Sequence, residues 1–215
     1  MSGHMLLAWS VSFVASRLLA REWAELRVLL AQARNTQPRH GPRPTVLAKQ
    51  LLISGEDHRF FGHGGIDIVA ICRALWRRAA FKRREGASTI EMQIVRVVSG
   101  RYERTVSRKL REMALATLVS QEIPKHELPG LYLELGYYGW RMTGFRAACR
   151  QLSIAPKDLT QFETARLVAR LKYPQPRVMP IKRDEQIERR AMHLLSLYNA
   201  HIVGTTYEGL QLGLQ

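Results

Sequence analysis

The pattern of apolar and polar positions predicts a chain that is almost entirely helical. Apolar residues recur at helical spacing, and stretches rich in proline, glycine or charge separate the periodic segments. No segment shows the alternation of a half-buried strand, and no internal repeat is found. The predicted helices cover residues 45–57, 66–81, 89–98, 103–121, 127–138, 144–151, 159–171 and 182–198. We therefore predict one mainly α domain with an N-terminal appendage.

The N-terminal segment fits two descriptions. Residues 5–20 are mostly apolar, but serines and Arg17 interrupt a run that falls short of the roughly 20 apolar residues of a membrane-spanning helix. No basic region precedes it, so a signal peptide is not predicted. Residues 5–33 suit either a membrane-adjacent helix or an ordinary core helix. The predicted divisions are the N-terminal helix and linker at 1–44, a domain at 45–200 and a tail at 201–215.

The net charge indicates the kind of binding partner rather than the fold. The chain has 33 Lys and Arg against 18 Asp and Glu, a formal charge of +15. Such an excess favours nucleic acid, anionic lipid or phosphorylated substrates. The two cysteines, Cys72 and Cys149, lack metal-ligand spacing, so they are interpreted as small buried apolar residues or as a disulfide.

The stretch GEDHRFFGHGG at 55–65 concentrates groups that could carry chemistry. Glu56 is predicted in the last turn of a helix, where the helix dipole and nearby aromatic residues both disfavour a negative charge. That environment suits a carboxyl group that exchanges protons near neutral pH. The alternative is a plain helix C-terminus with glycine stops and a polar surface.

A second candidate is the charged stripe in RTVSRKLRE. Arg104, Arg108 and Glu112 lie four residues apart and are predicted on one helix face, with Val106, Leu110 and Met113 turned towards the core. The guanidinium groups could hold phosphate oxygens beside a second carboxylate. The alternative is a solvated ladder of ion pairs, each contributing about 0.3–0.5 kcal/mol.

Two further segments are less specific. In EGASTIEMQIVR, Ser88 is predicted to cap a helix whose N-terminus could bind an anion, although a plain N-cap explains it equally. The aromatic and glycine-rich run LYLELGYYGWRMTGFRAACR is equally explained by core packing.

Order and spacing say more than any single segment. EDHRFFGHGGID, GASTIEMQIVR, ERTVSRKLRE, LYLELGYYGWRMTGFRAA and LTQFETARLVARLKYPQPRVMP resemble, in that order, the five motifs of the peptidoglycan glycosyltransferases, glycosyltransferase family 51. The resemblance covers about residues 45–198. It implies a mainly α, bilobed, lysozyme-like glycosyltransferase domain that polymerises lipid II into glycan strands. Only 15 residues follow Ala200, so a monofunctional type is expected.

The resemblance also implies roles for individual residues. Glu56 matches the catalytic base that deprotonates the acceptor hydroxyl, and Glu112 matches the second glutamate, near the departing pyrophosphate. Arg96 stands where the family commonly has lysine. The implied substrate-binding residues are Asp57, His63, Ser88, Thr89, Gln93, Arg96, Arg104, Arg108 and Lys109.

Cofactors and partners are implied in the same way. The family often uses a divalent cation, Mg²⁺ or Mn²⁺, although no carboxylate cage is visible in the sequence; no organic cofactor is expected. The implied partners are lipid II or a related lipid-pyrophosphate sugar, an anionic membrane surface and other cell-wall proteins, and no nucleic acid is expected. The implied location is the periplasmic or outer face of a bacterial inner membrane.

The second and fourth motifs depart from the family pattern. Glu91 stands in a segment that usually reads STITQQ, and Glu134 stands where asparagine is usual. Arg141 and Thr143 are further replacements, and residues 151–154 replace the usual YFGK. The alternatives are therefore a weak or inactive member that binds lipid-linked sugar or a cell-wall partner, and a lysozyme-like hydrolase.

Overall fold

The computed structural model describes residues 13, 15–35, 41–82 and 86–202, and helices dominate these ranges. The mainly α prediction is confirmed. The helices are α1 Ala20–Asn35, α2 Val46–Glu56, α3 Ile68–Phe81, α4 Ile90–Ser99, α5 Val106–Glu122, α6 Leu128–Leu135, α7 Phe145–Gln151, α8 Gln161–Ala169 and α9 Ile181–Ile202, with a 3-10 turn at Phe60–Gly62.

A short hairpin was not predicted. Helix α6 ends at Leu135, earlier than expected, and β1 (Tyr137–Gly139) then pairs antiparallel with β2 (Met142–Thr143). Gly139 has φ +143° and an added Cβ would lie 2.2 Å from the Gln175 carbonyl oxygen. Only glycine permits this approach. Strands of three and two residues are too short to show alternation in sequence, so the prediction of helix to residue 138 was wrong.

The chain divides into two compact units. Unit 1 comprises Met1–Ala31 and Arg59–Leu128, and unit 2 comprises Gln32–His58 and Pro129–Gln215. In unit 1, α4 packs on α5. In unit 2, α9 packs on α8 and α2. Both cores exclude water from aliphatic side chains; the fully buried ones include Ile90, Met92, Ile94, Ala116 and Val119 in unit 1, and Leu51, Leu52, Ala165, Ile187 and Ala191 in unit 2.

The ends of the chain are only partly described. Residues 15–18 are helical and α1 follows, whereas 1–12 and 14 lie outside the described residues, as do 36–40 of the predicted linker, 83–85 of the predicted charged loop and 203–215 of the predicted tail. Among the residues that the structure describes, no helix is both long and apolar enough to cross a membrane. Cys149 is buried and Cys72 is exposed, and both are thiols rather than a disulfide.

Candidate functional site

Glu56 is the last residue of α2, as the sequence predicts. Its Oε1 accepts a hydrogen bond from Arg190 Nη2 at 2.7 Å, and the same nitrogen donates to the Gly55 carbonyl oxygen at 2.9 Å. The Glu56 side chain retains 27% exposure, whereas that of Arg190 retains 8%. Asp57 follows as the C-cap, buried, and its backbone N–H donates to the Ile53 carbonyl at 2.9 Å. Unit 2 therefore holds a partly exposed carboxylate against a buried cation.

His63 of the first motif and Thr89 of the second both form hydrogen bonds with the backbone of Gly65. His63 is buried and its Nδ1 accepts from the Gly65 backbone N–H at 3.2 Å. Thr89 Oγ1 donates to the Gly65 carbonyl at 2.7 Å and accepts from the Met92 backbone N–H. Thr89 is therefore the N-cap of α4, and the prediction that Ser88 caps this helix was wrong because Thr89 is the residue whose oxygen faces the orphan N–H groups.

Three basic residues of the second and third motifs converge on Glu112. Arg96 forms a bidentate ion pair with Glu112, in which Nη2 donates to Oε1 at 2.7 Å and Nε donates to Oε2 at 3.0 Å. Arg108 also donates to Oε2, and Lys109 Nζ donates to Oε1 at 3.2 Å and to Ser88 Oγ at 2.7 Å. Glu112 is 4% exposed. A buried carboxylate with three cationic partners excludes the solvated-ladder interpretation of this stripe.

The electrostatics of this cluster follow from burial and mutual pairing. Burial alone would raise the pKa of Glu112, but the hydrogen bond from Arg96 and the charges of Lys109 and Arg96 hold that pKa below its ordinary value. Burial lowers the pKa of Lys109, and the neighbouring Glu112 opposes the change. The cluster is thus a group of cations pre-organised around one carboxylate.

The orientation of α5 differs from the prediction at its N-terminal end. Val106 and Leu110 were expected to face the core, yet they are 77% and 60% exposed. Arg104 was expected on the same helix face as Glu112, but α5 begins after the N-cap Thr105, so exposed Arg104 precedes the helix. Of the stripe, Arg108 and Glu112 turn inward, where the pairing of Glu112 with its three cations offsets part of the cost of burying charge.

A cavity of about 350 Å³ opens beside the Glu112 cluster within unit 1. Arg101 and Arg111 contribute further cations there, and Glu22 of α1 pairs with both, at 3.4 Å and 3.6 Å. These three were not singled out from the sequence, although their proximity to the third motif was a signal for the two arginines. The apolar part of the wall consists of Leu26, Leu29, Val95 and Leu115.

Two departures from the family pattern, Glu91 and Glu134, are buried and half-buried, whereas Arg141 and Thr143 are exposed. Glu91 is completely buried, and its carboxylate contacts Lys125 Nζ. Gln93, on the same helix, is also buried. Glu134 has two basic residues nearby, Arg146 and Arg43. Burial raises the pKa of Glu134, and the charges of these two arginines oppose that rise. Both replacements therefore have a cationic neighbour within their own unit.

Comparisons with a family model and with individual proteins point to the same family. The sequence model of the family described as Transglycosylase matches residues 21–199. The chain is 32% identical over 158 residues to penicillin-binding protein 1A of Neisseria gonorrhoeae, covering 73% of this chain and 20% of that protein. It is 33% identical over 144 residues to penicillin-binding protein 1F of Bacillus subtilis, covering 66% of this chain and 20% of that protein. The chain spans about a fifth of the length of these relatives.

Proposed function

This chain belongs to the transglycosylase family, the peptidoglycan glycosyltransferases, and on that premise we propose that it polymerises lipid II-type lipid-linked disaccharides into glycan strands. The observation that carries the proposal is the set of cations around Glu112, which borders a cavity whose wall contains arginines, glutamates and apolar side chains. A lipid pyrophosphate complements the arginines and the apolar side chains, because its phosphates are anionic and its chain is hydrocarbon.

The Glu112 cluster is assigned to the departing pyrophosphate. Negative charge grows on the leaving oxygen as the sugar–phosphate bond breaks, and cations already held in place stabilise it without reorganisation. Arg96 and Arg108 offer planar donor forks that match phosphate oxygens, whereas Lys109 offers a compact charge. In this assignment Glu112 holds the cations in position before the donor binds. Ser88, Thr89, Gln93 and exposed Arg104 are assigned to donor binding with them.

Glu56 is assigned to the acceptor. Its carboxylate takes the proton from the acceptor's 4-hydroxyl while that oxygen forms a bond to the anomeric carbon of the donor. The bond from the anomeric carbon to the pyrophosphate oxygen breaks, and the lipid pyrophosphate leaves with the bonding electrons. Asp57 and His63, which follow Glu56 in the first motif, are assigned to supporting the site.

A divalent cation, Mg²⁺ or Mn²⁺, is part of the proposal, and the Glu112 cluster does not suit it. Arg96, Arg108 and Lys109 already surround that carboxylate and would repel a further cation. In unit 1, buried His63 and Glu91 place ligand atoms within 4.8 Å of each other, and Glu91 Oε2 accepts no hydrogen bond from the residues that the structure describes. The carboxylate oxygen suits Mg²⁺ or Mn²⁺, but an imidazole nitrogen suits softer metals and Lys125 already contacts this carboxylate. This pair therefore does not fit Mg²⁺ by itself.

An anionic membrane surface is the proposed partner, at the outer face of a bacterial inner membrane. Helix α3 supports this assignment, since Leu75, Trp76 and Phe81 are 62%, 60% and 59% exposed on it. Arg78 and Lys82 accompany them, and no acidic residue occurs between residues 68 and 82. Exposed apolar side chains with basic neighbours are typical of helices that lie in a lipid interface.

The test is incubation with labelled lipid II in detergent and Mg²⁺. We expect polymer from the wild-type chain and from a Glu185→Gln control, whose carboxylate is 55% exposed on α9, and none from Glu56→Gln. Lipid II binding without polymer would favour an inactive binding member instead. Release of reducing ends from purified cell wall would favour a hydrolase.

A further inference from the structure

Arg190 is tied to Glu56 across 134 positions of sequence. Its Nη2 lies 2.7 Å from Glu56 Oε1 and 2.9 Å from the Gly55 carbonyl oxygen. The carbonyls of the last turn of a helix have no partner inside it, so the guanidinium satisfies one such group of α2 while it holds the carboxylate of the same turn. A cation at this end also opposes the negative pole of the helix dipole.

Gly55 makes this contact sterically possible. A Cβ at residue 55 would lie 2.1 Å from Leu194 Cδ2 and 3.0 Å from Arg190 Nη2. Because residue 55 has no side chain, α9 packs directly on the last turn of α2 and brings Arg190 to it. Two neighbouring residues at the end of α2 thus serve one contact, in which Gly55 supplies the space and Glu56 the charge.

We infer that Arg190 is a positioning residue that orients the Glu56 carboxylate for proton abstraction, an inference that rests on the proposed function. A guanidinium does not release its proton in proteins, so Arg190 takes no part in the transfer itself. Its contribution is geometric: with Oε1 held, the carboxylate keeps one orientation towards the acceptor. An unrestrained glutamate at the partly exposed end of a helix would sample several rotamers.

The neighbouring arginine provides a matched control. Arg189 is on the same helix, but its side chain is 69% exposed and it pairs with Glu185 on the surface at 3.8 Å. Arg190→Gln and Arg189→Gln therefore make the same chemical change at adjacent positions, of which only the first contacts Glu56. Gly55→Ala is a second variant, because it leaves both charged groups intact while its methyl group would clash with Leu194 and press on Arg190 Nη2.

The experiment is steady-state polymerisation of labelled lipid II, with thermal unfolding measured on each variant. We expect Arg190→Gln to lower kcat roughly 100-fold, the loss typical of a misplaced catalytic group, while KM stays within about threefold. Arg190→Lys should recover part of kcat because its ammonium can still reach one oxygen, and guanidinium ion should partly rescue Arg190→Ala. Gly55→Ala should resemble Arg190→Gln, and Arg189→Gln should resemble wild type.

Two results would overturn the assignment to different extents. A wild-type chain that makes no polymer would overturn the proposed function and the role of Arg190 together. An active wild type whose Arg190→Gln variant matches Arg189→Gln in kcat, or loses activity only in proportion to its unfolded fraction, would overturn the positioning role alone.

Discussion

Lys125 Nζ contacts the carboxylate of Glu91 within unit 1, 34 positions earlier in the chain. The same nitrogen donates to the Phe60 carbonyl at 2.8 Å and lies 4.1 Å from the centre of the Phe60 ring. Glu91 is the residue that departs from the second motif, and it is fully buried. The extra negative charge of this chain is therefore balanced by a cation that an aromatic ring also stabilises.

This pair predicts a strong non-additivity. Lys125→Met leaves the Glu91 carboxylate buried without its cation, so we expect the free energy of unfolding to fall by about 3–5 kcal/mol. The double variant Lys125→Met, Glu91→Gln should lose clearly less than the two single variants added together. Urea unfolding measures all three, with exposed Lys157→Met as the control, expected within about 0.5 kcal/mol of wild type. Additive losses would show that the two residues are not energetically coupled.

The Glu112 cluster predicts how stability depends on pH. The pKa of Glu112 lies below its ordinary value of 4.5 in the folded chain, because the Arg96 hydrogen bond and the charges of Lys109 and Arg96 outweigh burial. A lowered pKa stabilises the fold fully above pH 4.5 and ceases to do so as the pH falls through the lowered value. Wild type should therefore exceed Glu112→Gln in stability at pH 7, and the difference should shrink towards pH 3.

Chemical unfolding at several pH values measures this difference. Glu122→Gln is the control, since Glu122 is 42% exposed and pairs with Arg27, whose side chain is 55% exposed. Its difference from wild type should be small throughout. A Glu112→Gln difference that stays constant from pH 7 to pH 3 would contradict the assignment of the lowered pKa to this carboxylate.

Local patterns predicted the helices because helical periodicity is a property of neighbouring residues. The position of Glu56 at the end of α2 followed from the same reasoning. Periodicity gives the residues that share a face but not the direction of that face, so Val106 and Leu110 were assigned to the core although they are exposed. At this end of α5 the buried face carries Glu112 and its cationic partners instead of Val106 and Leu110. The amphipathic pattern does not contain that information.

The remaining contacts depend on residues far apart in sequence. Arg190 has no local feature that distinguishes it from Arg189, and only the packing of α9 on α2 brings it to Glu56. Lys125 reaches Glu91 in the same way. The resemblance to the family identified the members of the Glu112 cluster, because ordered motifs carry information on tertiary contacts that composition and periodicity lack.

Of the three glycines in the first motif, those at 62 and 65 predict opposite responses to one methyl group. Gly65 has φ +95°, and an added Cβ would lie 2.3 Å from the Ala116 carbonyl oxygen of α5. An added Cβ at Gly62 meets nothing within 4 Å. We expect Gly65→Ala to destabilise the fold by about 1–3 kcal/mol or more, through backbone strain and the clash. Gly62→Ala should stay within about 0.5 kcal/mol of wild type.

Thermal or urea unfolding compares these variants directly. Gly65 also accepts the Thr89 hydroxyl and donates to His63, so a displaced backbone should disturb both side chains. We therefore expect Gly65→Ala to lower polymerisation more than its unfolded fraction accounts for. Equal stability of the two alanine variants would contradict the close approach of this loop to α5.

Helix α3 predicts binding to anionic lipid vesicles. Trp76 and Phe81 are exposed and their rings contact edge to face, with centroids 5.2 Å apart. Burying such a ring in the interface is worth about 1.5–3 kcal/mol, so Trp76→Ser should weaken binding roughly tenfold or more. Arg78→Glu should also weaken binding, because it replaces a positive charge by a negative one and each charge contributes about 1 kcal/mol near an anionic surface.

Sedimentation with vesicles containing phosphatidylglycerol measures both effects, and vesicles of phosphatidylcholine alone separate charge from apolar insertion. Arg189→Glu is the matched control, since it makes the same reversal at an exposed arginine outside α3. We expect it to weaken binding less than Arg78→Glu, because apolar insertion of α3 keeps Arg78 close to the headgroups, whereas Arg189 lies outside α3. Equal losses from the two reversals would mean that net charge alone governs binding, and α3 would then not be the docking surface.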